Sequence, residues 1–453
     1  MKNNIILSTD SYKPSHIKLY KDGVEYMQSY YESRSDNEKI KFFGLQFLLK
    51  EYLEGVVLTK EDIDEAEEFF SQHFGRDDVF DREAWEYILE EYEGRLPIRI
   101  YAQKEGGVYD SRTPLMVVES TDPKAFWLVN YLETILCQIW YPITIATNSW
   151  NIKNIIREYL YITSYLDEED LEGMLNFKVH DFGYRGVSSV DTAGIGGMAH
   201  LVNFMGTDTL RGIEYARKYY NTDEMVGFSI PASEHSTMTS WGGRVGEVEA
   251  MENMLDKYPT GLIACVSDSY DIMNAITNIW GDELKDKILS RDGTLVVRPD
   301  SGDPVATTLK VFEALWDAFG GDTNSQGFRV LDSHVRIIQG DGIDVDMVKQ
   351  ILENYYQNDI SAVNITFGSG GGLLQKFNRD TYKFAFKCNQ VIIDGEEVDV
   401  RKFPKSFNSD GEYVESNKWS KGGDLKSTEG LELVFQNGYI EREQSFGEVR
   451  GSE

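Results

Sequence analysis

Residues 363–380 read VNITFGSGGGLLQKFNRD, and this stretch decides the fold class. Val363, Ile365 and Phe367 alternate with polar residues, which predicts a short strand. The chain then breaks through Gly368-Ser369-Gly370-Gly371-Gly372 into Leu373 and Leu374, the apolar start of a helix. A strand that opens through glycines into a helix leaves backbone N–H groups unpaired, with no side chains in the way. That is a cradle suited to a phosphate. Arg379, one to two turns further on, could add a cation. The plainer readings are a flexible linker or a tight turn with no ligand; apolar elements on both sides of the glycines weigh against the linker.

Working outward, the same rhythm recurs upstream. FKVHDFGYRG, VGFSIPASEHS, LIACVSDSYD, TLVVRPDSGDP and VRIIQGDGID are short apolar runs that end in polar, glycine-bearing segments. Helical patterns such as Val245 to Tyr258 and Val345 to Tyr355 lie between several of them. Repetition of strand, polar loop and helix predicts a parallel α/β barrel or a doubly wound sheet. In barrels the loops after the strand C-termini build the active site.

The flanks are different. Ile5 to Leu7 predicts a short strand and Tyr26 to Tyr31 another, ending at Arg34. Ile40 to Leu53 has helical spacing, Thr59 is placed to cap a helix, and Trp85, Ile88, Leu89 and Tyr92 mark a further one. The period then changes to two through Pro97–Ala102 and Leu115–Val118, which predicts an antiparallel sheet with helices packed on it. Asp122-Pro123 opens a helical stretch that Pro142 is expected to stop. Asp394-Gly395 and Asn437-Gly438 predict hairpin turns near the C-terminus.

Composition narrows the chemistry. The formal charge is −31, so nucleic acid would be repelled, and any phosphate ligand must be held by locally clustered Arg and Lys. Much of the acidic excess, between Glu61 and Glu93, reads as a solvated helical face. There is no run of apolar residues long enough to span a membrane and no signal-peptide pattern. Cys137, Cys265 and Cys388 have apolar surroundings and no paired spacing, as expected of thiols in a reducing, cytoplasmic compartment.

Arg298-Pro299-Asp300-Ser301-Gly302 places a cation and a carboxylate at one strand end. Gln339-Gly340-Asp341-Gly342 places a carboxylate at another, and Asp268 and Asp271 follow a third. Oxygen donors without cysteine or paired histidine suit Mg²⁺ with a phosphate substrate better than zinc. Each aspartate alone could equally cap a turn or a helix. His235, in ASEHST, reads as a base, a phosphate ligand or a phospho-acceptor. His180 is ambiguous, and His16, His73, His200 and His334 read as structural.

Together these residues resemble the nicotinamide phosphoribosyltransferases, a family of type II phosphoribosyltransferases. The match runs in order along nearly the whole chain: STDSYK, NYLETIL, YPITIATNS, HDFGYRGVSS, GTDT, PASEHST, VSDSYD, RPDSG, IQGDG and FGSGGGLLQK. The resemblance implies an irregular parallel (β/α) barrel over residues 141–385. It also implies a smaller α+β domain built from an N-terminal segment, 1–140, and a β-rich C-terminal segment, 386–453. The implied assembly is a homodimer with shared active sites. The implied reaction joins nicotinamide to the ribose of phosphoribosyl pyrophosphate (PRPP), with Mg²⁺, and with ATP coupled through a phosphohistidine at His235.

By motif match Arg185, His235 and Arg298 meet the pyrophosphate, with Asp271 near its metal. Asp300 meets ribose hydroxyls, while Gly340, Asp341, Gly370 and Gly371 line the 5′-phosphate side. Arg34, Arg379, Lys387, Lys402 and Lys418 match further phosphate positions, and Ser267 a substrate position. Phe182 and the partner's Tyr12 would sandwich the nicotinamide ring. Asp208, in GTDT, can accept from a carboxamide and would repel a carboxylate. Two stretches depart from the family pattern: the short segment after Arg34, and 405–416. The competing readings are a nicotinate phosphoribosyltransferase, a non-catalytic binding protein of the same fold, and a barrel aldolase or phosphatase.

Overall fold

The computed structural model describes residues 4–400, 405–407, 412–415 and 428–452. They fall into two units. One comprises Asn148–Ala216 and Asp223–Lys376; the other comprises Met1–Thr147, Arg217–Thr222 and Phe377–Glu453.

The first unit contains the expected barrel. Its strands, in chain order, are β1 (Val179–Asp181), β2 (Gly206–Thr207), β3 (Ile263–Val266), β4 (Leu295–Arg298), β5 (Val335–Gln339) and β6 (Ile365–Ser369). They lie side by side in the order β2-β1-β6-β5-β4-β3, every pair parallel. The gap between β2 and β3 is bridged by residues 228–232, through parallel bridges Gly206 to Phe228 and Ala232 to Ala264. Pro231 lacks an N–H and interrupts the ladder there, which is why this stave is irregular. Five of the six predicted runs became strands and the sixth, VGFSIPASEHS, became the closing stave. The two-residue β2, in GTDT, is too short to carry a period and was not expected.

Alternation along the strands sorts their side chains. Cys265, Val297 and Ile337 join the core beneath the outer helices, Pro304–Phe319 and Val345–Gln357 among them. Their neighbours Ala264, Val296 and Ile338 form a separate apolar cluster with Phe182 and Ile230.

The N-terminal ends of the staves are closed by cations that satisfy backbone carbonyls. Lys178 Nζ donates to the carbonyls of Ala362, Val363 and Ile365 at 3.1, 3.0 and 2.9 Å. Arg291 serves Tyr258, Thr260 and Gly261, and Arg336 serves Leu331, Asp332 and Val335. Carbonyls left bare in such a place would be expensive.

The second unit centres on a seven-stranded antiparallel sheet built from both ends of the chain. Val24–Ser33 lies between Phe384–Ile393 and Met116–Ser120; Ile98–Ala102 and Glu432–Gln436 continue one side, and Glu396–Asp399 and Tyr439–Ile440 form the edges. Both predicted turns are present, with Asp394, Gly395, Asn437 and Gly438 all at positive φ. Thr59 caps the helix Lys60–Phe74 in a capping box with Asp62.

Three local expectations are corrected. Ile5–Leu7 is a 3₁₀ turn capped by Asn4, not a strand. Ile40 belongs to a short strand, Lys39–Lys41, paired with Val108–Asp110; the helix starts only after Gly44, at φ +102°. Pro142 does not stop a helix but sits in the first turn of Trp140–Thr163, where its missing N–H is harmless. No helix among the described residues is long and apolar enough to cross a membrane.

Candidate active site

The loops at the C-terminal ends of the barrel staves carry one constellation. After β1, Asp181 Oδ1 accepts from the Gly183 amide at 2.7 Å, and the Phe182 amide donates to Ser369 at 2.9 Å. These bonds lay the Phe182 ring on the backbone of Gly368. A Cβ built on Gly368 would sit 1.9 Å from Phe182 Cε2, so only glycine permits this approach. A Cβ on Gly340 would lie 3.4 Å from the same ring, 3.6 Å from Asp300 Oδ1 and 3.7 Å from Arg298 Cδ. An aromatic face, a guanidinium and a carboxylate thus converge around Gly340.

Beside them, His235 opens the short helix His235–Thr239. Its Nε2 lies 3.0 Å from Asp268 Oδ1 and its Nδ1 3.9 Å from Asp300 Oδ2. Asp268 Oδ2 accepts from the Asp300 amide at 2.9 Å and the Ser301 hydroxyl at 2.5 Å. Burial alone would raise the Asp268 pKa, but these donors and His235 hold it below the ordinary carboxylate range. Arg298 Nε is 3.9 Å from Asp300 Oδ1 and is buried without a hydrogen-bond partner among the described residues. An orphaned guanidinium donor at this place suits an incoming anion.

Other expected residues stand at the same stave ends. Asp208 follows β2, exposed, and accepts from Ser229 at 2.5 Å. Arg185 is exposed in the turn Tyr184–Gly186; a Cβ on Gly186 would be 3.6 Å from the Gly371 amide nitrogen. The amides of Gly371 and Gly372 open a helical turn and have no partner within it. The carbonyl of Asp341 is held by Gln339 Nε2 at 3.0 Å, and its side chain is exposed. Ser267 is different: it is fully buried, accepts from Trp280 at 3.1 Å and donates to the Cys265 carbonyl at 3.0 Å, so it braces the loop from behind.

The second unit holds Tyr12, Arg34, Arg379 and Lys387. Tyr12 is 54% exposed, with His16 edge-on at 4.7 Å. Arg34 pairs with buried Glu32 at 3.0 Å and donates to Tyr30 at 3.3 Å. Arg379 is half exposed, and Lys387 lies on Phe384–Ile393 opposite Tyr30. Lys402 and Lys418 lie outside the described residues.

The carboxylates present fit Mg²⁺ in one way only. No group of three or more His, Cys, Asp or Glu converges among the described residues, and Asp268 is committed to protein donors. Asp271 caps the following turn through Oδ1, donated to by Met273 and Asn274 at 3.1 Å each. This donor set fits an ion shared with substrate oxygens and waters, with Asp271 Oδ2 as the protein ligand, and not an all-protein cage.

Sequence reasoning underweighted Asp268 and missed Asp181 and Ser229. Asp181 is fully buried, and burial pushes its carboxyl up to about 7, against the Gly183 amide bond. The sequence signal for it was its place at the end of an apolar run, one residue before an aromatic; Ser229 carried none.

Comparison with known proteins accords with this geometry. Residues 177–437 match the model of the nicotinate phosphoribosyltransferase (NAPRTase) family, and residues 4–100 that of the nicotinamide phosphoribosyltransferase N-terminal domain. The chain belongs to the nicotinate phosphoribosyltransferase family. It is 44% identical over 99% of its length to the nicotinamide phosphoribosyltransferase of Xanthomonas campestris, covering 97% of that protein. To the enzyme of the same name from Acinetobacter baylyi it is 28% identical, over 99% of this chain and 96% of the other. Among solved structures, the family fold is shared with nicotinate-nucleotide pyrophosphorylase from Pyrococcus furiosus (TM-score 0.60, 16% identity, 99% and 95% covered). Human nicotinic acid phosphoribosyltransferase is also similar (TM-score 0.54, 15% identity, 98% and 92% covered).

Proposed function

We propose that this enzyme transfers the phosphoribosyl group of PRPP to nicotinamide, giving nicotinamide mononucleotide and pyrophosphate. The observation that carries the choice of base is Asp208, an exposed carboxylate held by Ser229 at a stave end of this family's barrel. An ionised carboxylate accepts from the carboxamide NH₂ and repels a carboxylate.

Breaking the bond from ribose C1 to pyrophosphate builds positive charge on the sugar and negative charge on the leaving group. Arg298, with its orphaned Nε, and exposed Arg185 take the leaving group. Asp300, facing Gly340, takes ribose hydroxyls and steadies the cationic sugar. The amides of Gly370 and Gly371, with Gly340 and Asp341, cradle the 5′-phosphate. Phe182, packed closely against Gly368, carries one face of the base; Tyr12, exposed on a single chain, would cover the other face in a neighbouring subunit of a homodimer. When bound, Mg²⁺ neutralises pyrophosphate charge, and Asp271 would hold it. Arg34, Arg379, Lys387, Lys402 and Lys418 are proposed as further phosphate contacts. His235 accepts a phosphoryl group from ATP, which couples ATP hydrolysis to synthesis.

The test is to incubate the enzyme with Mg²⁺, PRPP and either nicotinamide or nicotinate, with and without ATP, and to separate the mononucleotides. Nicotinamide is expected to be used and ATP to raise the yield; better use of nicotinate would overturn the assignment. Asp208→Asn is expected to shrink the preference for the amide by about tenfold or more, since one repulsive contact of 1–3 kcal/mol is lost. His235→Ala should lose the ATP stimulation before it loses all synthesis, and unchanged stimulation would refute the phosphohistidine role.

A further inference from the structure

Of the motifs STDSYK, at 8–13, and NYLETIL, at 130–136, the proposed reaction uses one side chain, Tyr12. The structure lays the first motif on the second, whose residues form the helical turns Leu128–Tyr131 and Glu133–Cys137. Three pins hold them together. Thr9 Oγ1 donates to the Tyr131 carbonyl at 2.9 Å. Thr134 Oγ1 donates to Asp10 Oδ2 at 2.6 Å and accepts from the Asp10 amide at 3.2 Å. Lys13 Nζ pairs with Glu133 Oε2 at 2.5 Å. Lys13 is 3% exposed and its neighbour Tyr12 54%, so the turn Lys13–Leu19 begins with one side chain driven inward and the preceding one outward. Within its own chain the Tyr12 ring meets His16 edge-on at 4.7 Å and Lys13 Nζ at 5.6 Å.

A lysine buried this deeply adds little stability, because desolvation offsets most of what the ion pair gains and an apolar side chain of similar volume would serve as well. What such a pair secures is register, since the ammonium must reach its carboxylate. The surroundings of Lys13 are mainly aromatic, with His16, Ile17, Tyr20, Trp127 and Tyr131 about it, so a displaced ammonium would lose its charged partner. We infer that Lys13 and Glu133 are positioning residues whose ion pair sets the direction in which Tyr12 leaves its own chain, and so the closure of the base site. The inference rests on the reading of Tyr12 above as the second face for nicotinamide. Neither residue is assigned a contact with substrate; both act through the tyrosine. Release of Nζ lets the turn roll, and the adjacent Tyr12 rolls with it.

Steady-state kinetics of Lys13→Met test this. KM for nicotinamide is expected to rise about tenfold, as one aromatic face is weakened, while KM for PRPP and the melting temperature change little. Glu133→Gln keeps an acceptor for Nζ and removes only its charge. It should move the same constant less, and it carries the test if Lys13→Met does not fold. Combined with Tyr12→Ala, either change should add nothing to the rise that Tyr12→Ala itself produces. An unchanged KM for nicotinamide in both variants, an equal rise for both substrates, or full additivity with Tyr12→Ala would overturn the inference. Hybrid dimers separate it from the shared-site reading. A Lys13→Met chain paired with an Asp300→Asn chain keeps one intact barrel served by one intact tyrosine turn. About half the wild-type rate should return, with the wild-type KM for nicotinamide. If a Tyr12→Ala hybrid recovers in this way and the Lys13→Met hybrid does not, the inference falls. If neither recovers, the shared site falls instead, and the additivity cycle still decides whether Lys13 acts through Tyr12.

Discussion

Replacing Gly368 with alanine is expected to lower kcat/KM for the base by roughly tenfold to a hundredfold, while the protein stays folded. A Cβ there would overlap the Phe182 ring at 1.9, 2.3 and 2.8 Å from three of its carbons, so the ring must swing away. It cannot simply shift, because its backbone is pinned by the Ser369 carbonyl on one side and the Asp181 to Gly183 turn on the other. Losing an aromatic face against a ring of this size is worth about 1–3 kcal/mol. The loss should fall on binding of the base more than on PRPP. Phe182→Ala should show a similar deficit, and the double variant should be little worse than either single one, since both changes remove the same shelf. Full additivity in that cycle would show that Gly368 acts by some route other than the ring.

Lys178→Met is expected to destabilise the protein by roughly 3–5 kcal/mol, read as a fall in the denaturant midpoint. Three backbone carbonyls lose the Lys178 donor at once, in a place only 3% exposed; that of Ala362 keeps the Ile365 amide, and each buried acceptor left bare costs about 1–3 kcal/mol before relaxation. The pH dependence gives a second check. Burial, with a smaller contribution from Arg336, brings the Lys178 pKa down from 10.5 to about 7. Between about 7 and 10.5 the unfolded chain therefore binds more protons at this residue than the folded one, so its contribution makes stability rise with pH across that window. Below about 7 that contribution is flat, with the burial penalty fully present. The difference between wild type and Lys178→Met should show this slope, and a difference independent of pH from 7 to 10 would refute it.

What was legible in the sequence follows physical lines. Apolar runs of four or five residues, such as Leu295–Arg298 and Ile365–Ser369, carry enough alternation to announce a barrel stave. Gly206–Thr207 does not, because two residues have no period, whereas the run VGFSIPASEHS announces residues 228–232 but not their irregular pairing, which Pro231 interrupts. Asp208 could be singled out from GTDT, but its fixing by Ser229 comes from 21 residues away and has no local trace. The glycines at 368 and 340 read as a phosphate loop; in the structure Gly368 makes room for an aromatic ring, a reason that depends on Phe182 from another stave. Asp268 and Asp271 looked alike as strand-end carboxylates, and only their partners separate one that holds a histidine from one that caps a turn.

Pairing of Val24–Ser33 with Phe384–Ile393 has a consequence for how the polypeptide is made. On the ribosome the early strand emerges, and Asn148–Lys376 must follow before its neighbour exists. The parallel staves can therefore close while the first strands still present a bare edge, since each new stave adds to one already out of the exit tunnel. Truncated products ending near Lys376 would carry a complete barrel and an unfinished, adhesive sheet, the kind of nascent chain that recruits chaperones.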